Sequence, residues 1–195
     1  MISDKQESRR SRIIDKARAI ISAHGADGLS MKELGRQADV PRASLYRIYD
    51  NKEHVISDLT LEWGMSLAQR LHGETAGGRS NGERIAHVLK SILQEAENNP
   101  LLIGAVLDHL LAANDSSRNR QRQFEALLPA LLDSAVDLQT IPDTARVMDV
   151  LLRLLLGNLQ VMSSGRSTLD ESLDNMTFAA EKLVGEKYWA ARPGG

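Results

Sequence analysis

Apolar positions recur at helical spacing along almost the whole chain, and strict alternation is nearly absent. Ile13, Ile14, Ala17, Ile20 and Ile21 form the first stripe, which predicts a helix from Ser8 to His24 stopped by Gly25. Ser30 followed by Glu33 has capping-box spacing, so a second helix begins at Met31 and runs through Leu34 and Ala38. Asp39 is one of the few non-Gly types that tolerates the left-handed conformation needed to stop it. Pro41 fits the first position of a third helix, reaching to about Tyr49. That helix holds Leu45 and Tyr49 on one side and spreads Arg42, Ser44, Tyr46 and Arg47 over the rest. Asp50 with Glu53 repeats the capping spacing and opens a fourth helix through Val55, Ile56, Leu59, Trp63, Leu67 and Leu71.

Gly73 to Gly82, with four glycines, reads as a loop. Helices follow over Glu83–Asn98 and Pro100–Asn114, then Ser116–Leu138 with a break at Pro129. Pro142 opens a helix to about Ser164, and Thr168 with Glu171 caps a last one to about Tyr188, before a disordered Arg-Pro-Gly-Gly tail. The fold class is therefore all-α, with about nine helices: a small three-helix unit over 1–54 and a larger helical domain over 55–195. Val147, Val150, Leu151, Leu154, Leu155, Leu159 and Met162 cover a wide arc of one helix, which must be buried on two sides. Its own core can cover one side, and a partner subunit or the same core the other.

Composition narrows the function. With 195 residues the chain has room for one medium domain, or a small one plus a larger one. The net charge of −2 argues against nucleic acid, but its distribution reverses the argument: up to His54 there are 11 Lys/Arg against 8 Asp/Glu, and beyond it 13 against 18. Lys5, Arg9, Arg10, Arg12, Lys16 and Arg18 suit either a flexible basic arm or a solvated helix end. The chain has no cysteine, which excludes disulfides, thiolate metal sites and cysteine nucleophiles and fits a reducing cytoplasm. The charged N-terminus has no apolar leader core, and the run Val150 to Leu156, broken by Arg153, is too short to span a membrane. The histidines share no HExxH spacing, and GETAGG is followed by no Lys-Ser/Thr pair, so neither an enzyme nor a bound metal or cofactor is expected.

What remains is chemistry suited to duplex DNA. Arg donates two bonds to a guanine edge, Ser and Tyr hydroxyls reach phosphates, and a helix matches the width of the major groove. Lys52, in the first turn of the fourth helix, adds a cation to exposed backbone N–H groups, a combination that holds phosphate. The set Ile14, Ala17, Ile21, Gly25, Leu29, Ser30, Met31, Leu34, Val40, Ser44, Leu45, Tyr46, Lys52 and Glu53 resembles the DNA-binding domain of the TetR family of transcriptional repressors. The resemblance implies that Ser30, Ser44, Tyr46 and Lys52 hold phosphates while Lys32, Arg42, Ala43 and Arg47 lie near base edges. It also implies a cytoplasmic homodimer joined as a four-helix bundle, here through Leu151, Leu155, Leu159 and Met176, on a palindromic operator in double-stranded DNA. An apolar small-molecule effector would sit in the larger domain, with Trp63, Met65, His109, Met148, Asn158 and Met162 as candidate lining. Asn158 stands among apolar positions and must find a hydrogen bond, across the dimer or to a ligand.

Three positions depart from the family pattern. Asp39 stands where Gly is usual, Gly35 where Ala is usual, and Ile48-Tyr49 replace a common His-Phe pair, so one backbone contact loses its donor. Two rival readings use the same helices: an interaction module whose N-terminal domain has lost DNA binding, and a small helical enzyme.

Overall fold

The helical stripes fold as α1 (Asp4–His24), α2 (Met31–Gln37), α3 (Arg42–Ile48), α4 (Lys52–Leu71), α5 (Asn81–Asn98), α6 (Pro100–Leu111), α7 (Leu127–Asp133), α8 (Thr144–Ser163) and α9 (Leu169–Val184). Short 3₁₀ turns occupy Ala26–Gly28 and Leu138–Thr140. The computed structural model describes residues 4–71, 80–111, 126–133 and 136–184, and no strand occurs among them. Most of the expected Gly73–Gly82 loop, the stretch before Leu127 and the tail beyond Val184 lie outside the described residues.

Several boundaries differ from expectation for local reasons. α1 begins at Asp4, so the basic residues from Arg9 to Arg18 lie on a helix rather than on a flexible arm. Asn51 caps α4, its Oδ1 accepting from the His54 N–H at 2.8 Å, so Asp50 is not the cap. Pro41 sits one residue before α3, as its N-cap. Pro129 is the third residue of α7, in the first turn, where no intrahelical donor is required, and the expected helix from Ser116 up to that point lies mostly outside the described residues. α8 starts at Thr144 after Asp143, which takes the left-handed conformation at φ 51°.

The described residues divide into two compact units. The first comprises the chain through Glu62 together with α6. The division expected after His54 thus falls inside α4, which continues into the second unit. The first unit is built on a core of Ile13, Ile14, Ala17, Ile20 and Ile21 from α1, Leu34 from α2, Leu45 from α3, and Val55, Ile56 and Leu59 from α4. Leu102 and Ala105 of α6 close the same core. Each fully buried aliphatic side chain contributes about 1.5–3 kcal/mol.

The second unit, from Trp63 to Asn98 and through α7, α8 and α9, packs α5 chiefly along α9. Gly82 permits that approach, since a Cβ there would stand 3.3 Å from the Glu181 Cα. Its interior is filled by Ile85, Val88, Leu89 and Leu93 of α5, Leu151 and Leu155 of α8, and Met176 and Ala180 of α9.

Candidate nucleic-acid interface

α2 and α3 are joined by a turn whose geometry follows from four residues. Ser30 Oγ accepts from the Glu33 N–H at 3.2 Å, as the capping spacing requires. The reciprocal half is not used: the Glu33 carboxylate accepts instead from Arg36 Nε at 2.9 Å and Gln37 Nε2 at 2.8 Å. These donors, Arg36 first, pull the Glu33 carboxyl down to about 2. By contrast, Thr168 with Glu171 and Ser80 with Glu83 close their boxes in both directions.

The α2 C-terminus ends as the sequence demanded. Asp39 takes φ 53°, and the Val40 N–H reaches the Gly35 carbonyl at 2.9 Å while the Asp39 N–H reaches that of Arg36 at 3.4 Å. This is the paired-carbonyl stop usually built on glycine. Gly35 makes room for it: a Cβ would meet the Val40 carbonyl oxygen at 3.2 Å and Leu45 Cδ2 at 3.4 Å.

α3 is two-faced. Leu45 is wholly buried and Ile48 packs partly against the same core, whereas Arg42, Ala43 and Arg47 are exposed and Tyr46 is 42% exposed. The Arg42 guanidinium lies 5.5 Å from the centre of the Tyr46 ring, a cation–π contact one helical turn long. Ser30 and Lys32 are exposed, and Ser44 and Lys52 half-buried, so all eight expected DNA residues remain accessible in this unit. Arg47 also lines a cleft of about 230 Å³ with Gln6, Glu7, Arg10, Ile48, His54 and Asp58, apart from the Arg42–Tyr46 pair.

One constellation was not foreseen. Tyr49 is fully buried, and its hydroxyl donates to Asp58 Oδ2 at 2.8 Å. Arg10 donates to the same oxygen through Nε at 3.0 Å and Nη2 at 2.7 Å. Burial, reinforced by the Asp58 carboxylate, pushes the phenol far above its ordinary range, so it stays a donor. The signal was present in the sequence: a tyrosine where phenylalanine is usual brings a hydroxyl that needs a partner once buried.

Two stretches match family profiles: residues 13–59 match "Bacterial regulatory proteins, tetR family" and residues 78–183 match "Tetracyclin repressor-like, C-terminal domain". The chain belongs to the TetR family. It is a DNA-binding transcriptional regulator and not an enzyme. The HTH-type transcriptional repressor KstR of Rhodococcus jostii is 28% identical over 185 residues, covering 94% of this chain and 86% of KstR. In fold the chain is similar to a TetR transcriptional regulator from Rhodococcus sp. RHA1, with a TM-score of 0.79 at 18% identity over 94% of this chain and 99% of that one. It is also similar to FadR from Bacillus subtilis, solved in complex with stearoyl-CoA, with a TM-score of 0.65 at 18% identity over 90% and 97% of the two chains.

The residues expected to line an effector pocket of this TetR-family chain are distributed over both units. Met65 is 63% exposed, and His109 belongs to the first unit, where its Nε2 bonds to Ser57 Oγ at 2.8 Å. Met148 is buried and Met162 half-buried in the second unit. Asn158 has hydrogen-bond partners within its own unit: its Nδ2 donates to the Leu154 carbonyl at 2.8 Å and meets Met176 Sδ at 3.5 Å. Trp63 is 6% exposed, and its Nε1 is the buried side-chain polar atom without a hydrogen bond among the described residues.

The four residues expected at a dimer interface are interior to their own unit. Leu151, Leu155, Leu159 and Met176 are all 5% exposed or less. The outward side of the same helices is made by others: Leu154 is 40% and Phe178 63% exposed, and Val150 and Val161 are half-buried. No described helix is long and apolar enough to cross a membrane.

Proposed function

We propose that this regulator is a cytoplasmic repressor that holds a palindromic operator as a homodimer and is released by an apolar small-molecule effector. The observation that carries the DNA part is the two-faced α3, with Leu45 buried and Arg42, Ala43 and Tyr46 presented outward. Arg42 and Ala43 meet base edges, while Tyr46, Ser44, Ser30 and Lys52 hold phosphates. Arg47 and Lys32 flank them. The similarity to KstR, a transcriptional repressor, supports repression over activation.

The dimer reading rests on the outward stripe of α8. Val150, Leu154, Gly157 and Val161 follow one another at four-, three- and four-residue steps, so they share a helix face. A second copy of this stripe, with Phe178 of α9 beside it, buries apolar surface that is otherwise wet. The effector reading is supported by FadR, a structural relative that carries stearoyl-CoA, and by Trp63, whose unbonded indole N–H recovers roughly 1–3 kcal/mol when a ligand supplies an acceptor.

Selection of duplexes from a randomised pool with the purified protein tests the reading. The enriched sequence is expected to be an inverted repeat with half-sites about 34–36 Å apart. Stearoyl-CoA is then titrated into the complex, with release of the duplex as the expected result. Enrichment of no sequence contradicts the DNA part, and an asymmetric site contradicts the dimer. Retention of the duplex at saturating ligand contradicts a long-chain acyl effector.

A further inference from the structure

We propose that Tyr49, Asp58 and Arg10 are positioning residues for α3: three donor–acceptor contacts on one carboxylate oxygen set the roll at which the reading helix is presented to DNA. This rests on α3 being the reading helix. α3 has only seven residues, and Leu45 is its one fully buried side chain. Apolar packing is non-directional, so Leu45, with Ile48 only partly packed beside it, holds the roll of a two-turn helix loosely. A roll of about 20° moves a group at the helix periphery by roughly 2 Å, whereas a bidentate contact tolerates about 0.5 Å.

Tyr49 removes that freedom. It follows α3 directly, leaves the helix in an extended conformation at φ −132°, and donates its N–H to the Leu45 carbonyl at 2.9 Å. Its buried hydroxyl then reaches α4 at Asp58 Oδ2, 2.8 Å away. Asp58 is itself held from α1 by Arg10, whose ion pair spans 2.7 Å. The carboxylate thus ties three helices, and the bond to Tyr49 is directional where the contact of Leu45 is not. Phenylalanine at 49 would fill the same volume and supply no such direction.

The test compares wild type, Tyr49→Phe, Arg10→Met, the double variant and Arg42→Ala on the duplex enriched by wild type and on its scrambled version. Helical content and thermal melting are recorded for each, so binding is compared only between folded proteins. Tyr49→Phe is expected to lower the preference for the enriched duplex by about tenfold, to leave affinity for scrambled DNA and the salt dependence unchanged, and to keep the fold. In the double variant the preference falls no further than in Tyr49→Phe, while the losses in melting temperature accumulate. A merely structural bond would lower melting and leave the preference alone. Full wild-type preference in Tyr49→Phe overturns the inference, as does a change in salt slope without a change in preference. If Arg42→Ala also keeps full preference, the assignment of α3 as reading helix fails. If Arg42→Ala loses preference and Tyr49→Phe does not, only the positioning role fails.

Discussion

Asp39→Gly should make the protein more stable and bind DNA more tightly. Asp39 occupies the left-handed region at φ 53°, as the residue that ends α2. An L side chain there costs roughly 1–2 kcal/mol, with Asp toward the low end because its short polar side chain tolerates the region. Glycine relieves that cost but returns about 0.4–1 kcal/mol through the greater freedom of the unfolded chain. The net expectation is a gain of up to about 0.6 kcal/mol. In urea, with a slope of about 1–3 kcal/mol per molar, the midpoint should rise by up to roughly 0.2–0.6 M at constant slope. Protein concentration is held fixed so that assembly does not enter. The same substitution removes a carboxylate from the turn leading into α3, so affinity for all duplexes should rise. Asp39→Asn separates the two effects, because Asn also tolerates the left-handed region while carrying no charge. It should reproduce the gain in DNA affinity with little of the stability. A lowered midpoint for Asp39→Gly at unchanged slope would refute the backbone argument.

Three further outcomes are expected. Arg42→Ala should lose about 1–3 kcal/mol on the enriched duplex and relax its sequence preference, whereas Lys52→Ala should weaken all duplexes alike and flatten the salt dependence, both read from titrations at several ionic strengths. Leu155→Glu, at a position 3% exposed, should unfold the second unit, while Leu154→Glu, at a position 40% exposed, should leave helical content intact and convert dimer to monomer in sedimentation. Glu33 contributes to acid stability with a defined sign: its folded-state pKa lies near 2, below the ordinary 4.5. Its contribution is therefore complete above about 4.5 and lost as pH falls toward 2, and Glu33→Gln should flatten the melting temperature over that window.

Local signals carried the helix-turn-helix and long-range ones did not, and the division has a physical cause. The turn from Ala38 to Val40 was readable because its requirement, a residue that accepts positive φ, acts within one residue, and the hydroxyl of Ser30 acts within three. α6 is apolar nearly all round, unlike the one-sided stripe of α5, and nothing in its sequence says which core it closes; Leu102 and Ala105 close the core of the first unit. The Asp58 clamp joins residues 48 positions apart, so only the unexplained hydroxyl of Tyr49 hinted at it.

The rotation of α8 shows the limit most directly. Neighbouring residues on a helix point about 100° apart, so Leu154 and Leu155 look in different directions. Where five of six consecutive residues are apolar, as from Val150 to Leu155, period alone cannot say which face is inside. What decides it is packing against α9 and α5, which takes Leu151 and Leu155 inward and leaves Leu154 in solvent. The interior thus claims the residues whose period matches its neighbours, and any subunit interface on α8 must be made from what is left. Gly157 lies on that remaining face with open space where a Cβ would project. If the two copies cross there, even Gly157→Leu, which adds no charge and leaves the interior untouched, should separate them. Preserved folding with loss of the dimer in sedimentation is the expected result, and a dimer that tolerates leucine at 157 would move the interface elsewhere.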